Sequence, residues 1–160
     1  MSEPVCFVLD TNVVIDWLVF DHPYLKAFRE LVGARQIRVL THPLVAAEFA
    51  RVLAYPELKL SADRRTRILE RYRALTLEAS IIEPFAIGDW KLPAGFPSCR
   101  DRDDDLFLAF AYHSRAAALV TRDKVLLKMR KKVRKFGVVI LDVQQFIELL
   151  TKTPAAAISD

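Results

Sequence analysis

Short continuous apolar runs alternate along this chain with stretches whose apolar residues recur every three or four positions, and these two patterns separate strands from helices. Residues 5–9, VCFVL, lie between Pro4 and Asp10 and read as a strand buried on both faces. Residues 11–20 continue as a helix that Asp10 is placed to cap. A second helix is predicted from Pro23 to about Val32, ending at Gly33, and a second strand over 37–41. Pro43 suits a first helical turn and opens a helix to about Ala54, where Tyr55-Pro56 stops it.

Ser61 reads as the N-cap of an amphipathic helix to about Ala79, with Ile68, Leu69, Tyr72 and Leu75 on one face and arginines on the others. A short third strand is expected over 80–83, followed by a loop over 85–100 that carries Gly88, Pro93, Gly95 and Pro97. A helix over 103–114, strands over 117–121 and 138–141, and a closing helix over 143–151 complete the pattern. Strands alternating with helices predict an α/β domain with a mostly parallel sheet of about five strands, its right-handed crossovers laying helices on both faces.

Length fits a single domain over 1–152, with 153–160 as a flexible tail, since a chain of 160 residues buries roughly 70% of its unfolded surface in one core. Hydrophobic residues at 52% and charged ones at 28% exclude a disordered chain. Cys6 and Cys99 have no CxxC spacing and no histidine cluster nearby, which argues against a zinc site or a disulfide framework. The first residues show neither a basic nor a long apolar leader, and no apolar run reaches the roughly 18 residues of a membrane span, so a cytoplasmic protein without membrane association is expected.

The net charge of +4 is unevenly spread. Eight basic residues lie between Arg122 and Lys135 against the single acid Asp123, and five arginines fall between Arg64 and Arg73. Either run is a solvated face or an attraction for a polyanion.

In a parallel sheet, strand C-termini and helix N-termini gather along one edge, where ligands bind. Asp10 follows the first strand, Asp123 follows the AALVT strand by one residue, Glu48 sits in the second turn of the helix after the second strand, and Asp105 sits in the first turn of the helix before AALVT. Each has a structural alternative. Asp10 can be an N-cap, Asp103 to Asp105 can answer a helix dipole, Asp123 can offset the basic run, and Glu48 can pair with Arg51. Four carboxylates on one edge nonetheless repel or protonate unless a hard cation joins them. Carboxylate and water ligands suit Mg²⁺ or Mn²⁺, whereas His22, His42 and His113 form no zinc-like spacing.

FVLDTNVVI at 7–15, AAEFARVLAYP at 46–56, CRDRDDDLFLAFA at 99–111 and LVTRDKVLL at 119–127 together resemble the PIN-domain family, in the family's order. They look closest to the branch that holds toxin components of toxin–antitoxin systems. The resemblance implies a three-layer sandwich and a ribonuclease using one or two Mg²⁺ or Mn²⁺ ions. It assigns the catalytic and metal-binding acids to Asp10, Glu48, Asp105 and Asp123. Asp105 is chosen because DLFLA matches the family's D-x-x-I/L-A pattern, with Asp101 and Asp104 as substitutes or auxiliary ligands. Asn12 and Thr121 match positions that orient the acids or bound water. Two departures stand out: Val125 where a further aspartate often occurs, and His42 where a small hydroxyl residue often precedes the glutamate helix.

The resemblance also implies 5′-phosphate and 3′-hydroxyl products, a homodimer and an antitoxin partner. Arg122, Lys124, Lys128 and Arg130 are the candidates for holding the RNA backbone, single-stranded RNA fitting best. Two other readings compete: a non-catalytic RNA-binding module of the same fold, and a phospho-receiver-like signalling domain. The second lacks paired acids after strand one, because Thr11-Asn12 follows Asp10.

Overall fold

A computed structural model describes residues 3–79 and 90–152. Five strands, β1 (Val5–Leu9), β2 (Ile37–Thr41), β3 (Thr76–Glu78), β4 (Ala118–Val120) and β5 (Ile140–Leu141), form one sheet in the order β3-β2-β1-β4-β5. Every pairing is parallel, with Phe7 opposite Val39 on one side and opposite Ala118 on the other. The central strand is therefore β1. The chain builds outward from it to β3, then crosses back to β4, so the topological switch lies at the C-terminal end of β1, where such sheets open a crevice.

Alternate residues of the sheet enter two separate cores, as the period of two along a strand requires. Phe7 and Leu9 pack with Trp17, Phe28, Phe49, Tyr72 and Phe146 on one face. Val8 and Leu119 pack with Leu106, Phe110, Leu126 and Val133 on the other. The first face is covered by helices α1 (Thr11–Leu18), α2 (Lys26–Gly33), α3 (Pro43–Leu53), α4 (Ala62–Leu75) and α8 (Val143–Lys152). The second carries α5 (Arg102–Ser114), α6 (Lys124–Lys128) and α7 (Arg130–Arg134). The predicted α/β architecture of a parallel sheet flanked by helices is the observed one. Among the described residues no helix is long and apolar enough to cross a membrane.

Two local expectations are corrected. The helix expected to run to about Ala79 ends at Leu75, and 76–78 pair with β2 instead, because a ladder to Val39 and Thr41 outweighs one more helical turn. The basic run after β4, to which the sequence pattern assigned no element, folds as α6 and α7, which bury Leu126 and Val133, with Met129 at their junction, while the lysines point outward. Pro23 starts a short 3-10 turn over Pro23–Leu25 before α2 rather than α2 itself. The strand expected over 80–83 lies outside the described residues. Ser61 caps α4 as expected, its Oγ accepting from Arg64 N at 3.2 Å.

Candidate active site

Asp10 stands at the junction of β1 and α1. Its N–H donates to Val120 O at 2.9 Å, which ties the end of β1 to β4, and its carbonyl accepts from Val13 N and Val14 N to begin the helix. The side chain makes no capping bond. It turns instead to Thr121, whose hydroxyl donates to Asp10 Oδ2 at 2.7 Å and accepts from Asp123 N at 2.9 Å. Thr121 is fully buried, so one hydroxyl fixes the Asp10 carboxylate and the turn that presents Asp123. Asp123 in turn caps α6 by accepting from Val125 N at 2.7 Å.

The first turn of α5 supplies the opposite wall. Asp101 caps the helix, its side chain accepting from Asp103 N at 2.9 Å. Asp104 is buried and lines the same cleft as Asp10 and Asp123, together with Asp101, Asp103 and Glu48, around a space of about 490 Å³. Asp105 does not line it: its Oδ1 accepts from Cys99 N at 2.6 Å and holds the loop before α5. The placement expected of Asp105 thus belongs to Asp104. One residue along a helix turns a side chain by about 100°, and in a run of three aspartates that step decides which one faces the cleft.

Electrostatics follow from this crowding. Burial pushes the Asp104 carboxyl up to about 7, and the charges of Asp123, Asp101 and Asp10 add to the shift, with a hydrogen bond shared between Asp104 and Asp123. Asp10 is raised by burial and by Asp123, against the Thr121 hydrogen bond and the Arg122 charge, which lower it. Burial also raises Glu48, while Arg51 opposes the shift and Asp103 reinforces it. The Arg51 guanidinium donates to Glu48 Oε2 at 2.7 and 3.1 Å, to Asp103 Oδ2 at 2.8 Å and to the Tyr55 hydroxyl. Arg51 is therefore more than a partner for Glu48, since it joins α3 to the head of α5.

His42, where a small hydroxyl residue was expected, does the same task by other means. Its Nδ1 accepts from Leu44 N at 3.1 Å at the head of α3, and burial lowers its pKa, which favours the neutral ring that can accept. Cys99 offers no thiolate nucleophile, because burial and then the charges of Asp105 and Asp104 push its thiol up to about 11.

Of the remaining residues singled out from the sequence, Asn12 is exposed on the cleft, and its backbone carbonyl accepts from Arg122 Nη2 at 3.4 Å. Arg122 lines the cleft. Arg130 pairs with Asp142 at 3.5 Å and lines a separate cavity beside β5, while Lys124 and Lys128 are exposed on α6. Sequence reasoning passed over Thr11, whose buried hydroxyl lines the cleft without a hydrogen-bond partner among the described residues, and Asp16, whose carboxylate holds Arg122 Nε at 3.0 Å. Asp16 was legible as an acid on the apolar face of a helix, where a charge needs a partner.

Whether this site suits a divalent ion can be judged from its donors. Among the described residues no three His, Cys, Asp or Glu side chains form a ready-made ligand shell. Asp104 instead faces the charge of Asp123, with Asp10 near enough to raise its carboxyl further. An all-oxygen site with one or two close carboxylates and room for water fits Mg²⁺, which dehydrates reluctantly, and Mn²⁺. The unpartnered Thr11 hydroxyl adds a donor or acceptor for such water.

The proton balance gives a prediction. In chelator, the folded Asp104 holds its proton more tightly than an ordinary carboxyl near 4, so its stabilising contribution is complete below about 4 and is lost as pH rises through about 7. Thermal melts in chelator should show stability declining between about pH 4 and about pH 7, by on the order of a few kcal/mol at most, and Asp104→Asn should flatten that decline. An equal slope in both proteins would assign the titration to another group.

A family model described as PIN domain matches residues 6–125 of the chain. An uncharacterized protein of Methanocaldococcus jannaschii is 28% identical over 150 residues, which cover 91% of this chain and 91% of that protein.

Proposed function

The chain belongs to the PIN-domain family, whose members are generally nucleases that use divalent metal ions, and on that premise we propose that it is a Mg²⁺- or Mn²⁺-dependent endoribonuclease. The observation that carries the reading is the buried Asp104 lining one cleft with Asp123 and Asp10, three acids from remote parts of the chain whose crowding raises the Asp104 carboxyl. Asp10, Asp104 and Asp123 would hold the ion, and Glu48 would either hold a second one or accept a proton from the attacking water. A bound divalent ion supplies acidified water and charge to offset the leaving oxygen.

The chain's own residues do the positioning. Thr121 fixes the Asp10 carboxylate in one rotamer by its 2.7 Å hydrogen bond. Arg51 holds Glu48 by hydrogen bonds and opposes the rise that burial gives its carboxyl. Arg122 at the rim, with the exposed Lys124 and Lys128, would hold backbone phosphates and make binding salt-dependent. Water attacking phosphorus, with the P–O3′ bond breaking and the 3′ oxygen leaving as a hydroxyl, would give a 5′-phosphate and a 3′-hydroxyl, and neither serine nor cysteine is needed.

The test is cleavage of an end-labelled unstructured RNA with Mg²⁺ or Mn²⁺ against a chelator control. Cleavage with either ion, absent in chelator, supports the reading; binding without cleavage would leave a non-catalytic RNA-binding module. Thr121→Val should reduce metal-dependent cleavage by roughly 10- to 100-fold, the usual effect of removing a group that orients a metal ligand. It should also weaken apparent metal affinity in a titration. Unchanged affinity would mean that the hydroxyl serves the fold alone.

A toxin of a toxin–antitoxin pair, acting as a homodimer and silenced by a partner that covers the acidic cleft, accords with this site. Growth arrest on expression of the wild type but not of Asp10→Asn, relieved by the partner, is the expected result.

A further inference from the structure

A second cavity, of about 570 Å³, opens beside the acidic cleft between the turn after α1 and the face of α8. The two spaces share one wall, the Arg122 side chain. We propose that this cavity is a nucleobase subsite for the RNA strand, which receives a base flanking the scissile phosphate while Arg122 holds the phosphate between the two spaces. The inference rests on the nuclease reading for the identity of its occupant.

The lining has the composition that a base requires. Val143 and Ile147 give it an aliphatic floor, and His22 and Tyr24 give it an aromatic side, their ring centroids 4.0 Å apart. Unpaired bases of single-stranded RNA are held by stacking on such side chains and by hydrogen bonds to their edges. The edge-reading groups are Gln144 and Glu148, one turn apart on α8 and both lining the cavity. A carboxylate there repels phosphate, so the base end of the nucleotide enters. It also accepts from paired N–H groups, which among the four bases guanine offers on its Watson–Crick edge.

The shared wall is fixed in place. Arg122 Nε donates to Asp16 Oδ2 at 3.0 Å and Nη2 to Asp16 Oδ1 at 3.3 Å, and the Tyr24 hydroxyl donates to the same carboxylate. Asp16 is 4% exposed and belongs to α1, so the guanidinium is tethered from inside the fold while half of its side chain remains open. A bidentate tether of this kind gives an arginine a fixed plane, which a mobile lysine would lack. Asp16 and Tyr24 are thus positioning residues for Arg122, and the acidic cleft gains a neighbour of different chemistry: apolar and aromatic where the cleft is charged.

The probes are AMP, CMP, GMP and UMP, titrated separately into the full-length protein in chelator while backbone amide signals are followed by NMR. The expected result is saturable shifts at His22, Tyr24 and along 143–148, with GMP binding about tenfold tighter than UMP, and that margin lost in Glu148→Gln. In cleavage of a random-sequence RNA, the wild type should cut beside guanine more often than beside uracil, and Glu148→Gln should redistribute the cuts. Shifts confined to the acidic cleft, or none, would overturn the subsite, as would signals at 143–148 that move with protein concentration alone, which would place a second copy on this face. The two readings fail separately. RNA cleavage without nucleotide shifts leaves the nuclease and removes the subsite, whereas nucleotide binding by a protein that cuts no RNA does the reverse.

Discussion

Asp10→Asn is expected to lower divalent-dependent RNA cleavage by roughly a thousandfold or more in a protein that remains folded. The magnitude follows from the several kcal/mol of charge stabilisation that a metal ion contributes to phosphoryl chemistry, at about 1.36 kcal/mol per tenfold. The fold survives because the backbone of Asp10, not its side chain, joins β1 to β4 and starts α1. An asparagine oxygen can still accept the Thr121 hydroxyl, so that bond is kept while the charge is lost. Kinetics on the purified mutant, with circular dichroism as the folding control, make the comparison. Near-normal cleavage by a folded Asp10→Asn would remove Asp10 from the mechanism.

The second large effect separates two neighbours that the sequence alone confuses. Asp104→Asn should cost as much cleavage as Asp10→Asn, because Asp104 is buried and lines the same cleft as Asp10 and Asp123. Asp105→Asn should retain most of it, because that carboxylate is committed to Cys99 N and secures the loop before α5. An asparagine oxygen can still accept from Cys99 N, so only the charge assistance is lost, which predicts a stability loss of about 1 kcal/mol with catalysis largely kept. Parallel rate measurements and urea unfolding of the two mutants read both quantities. An inactive Asp105→Asn beside an active Asp104→Asn would mean that the first turn of α5 presents Asp105, not Asp104, to the cleft.

The contrast shows where sequence reasoning has purchase. A strand buried on both faces leaves a continuous apolar run, and the runs at 5–9 and 37–41 coincide with β1 and β2. The acid that follows such a run is placed by the sheet, so Asp10 and Asp123 could be assigned to one edge from the sequence. Side chains within a helix are harder. Asp103, Asp104 and Asp105 share one turn, and the motif spacing that favours Asp105 carries no information about which carboxylate the neighbouring loop captures.

Pairing between distant segments was equally hidden. Thr76 to Glu78 continue an amphipathic helical pattern, and only their register with β2 makes them β3. The lysines and arginines after β4 masked the spacing of Leu126, Met129 and Val133, which is helical once the charges are read as the outer face. His42 illustrates the reverse case, where an apparent departure is neutral in effect because an imidazole nitrogen caps α3 as a hydroxyl would.

The proposed function depends on Asp10, Asp104 and Asp123 being able to share a divalent ion. Anomalous diffraction from crystals of the wild-type protein grown with Mn²⁺ tests this without reference to activity. A manganese peak bounded by oxygens of those three carboxylates, absent in Asp104→Asn, is the predicted result. A wild-type cleft with no manganese at saturating ion, or a peak held by Asp105 away from Asp10, would contradict it.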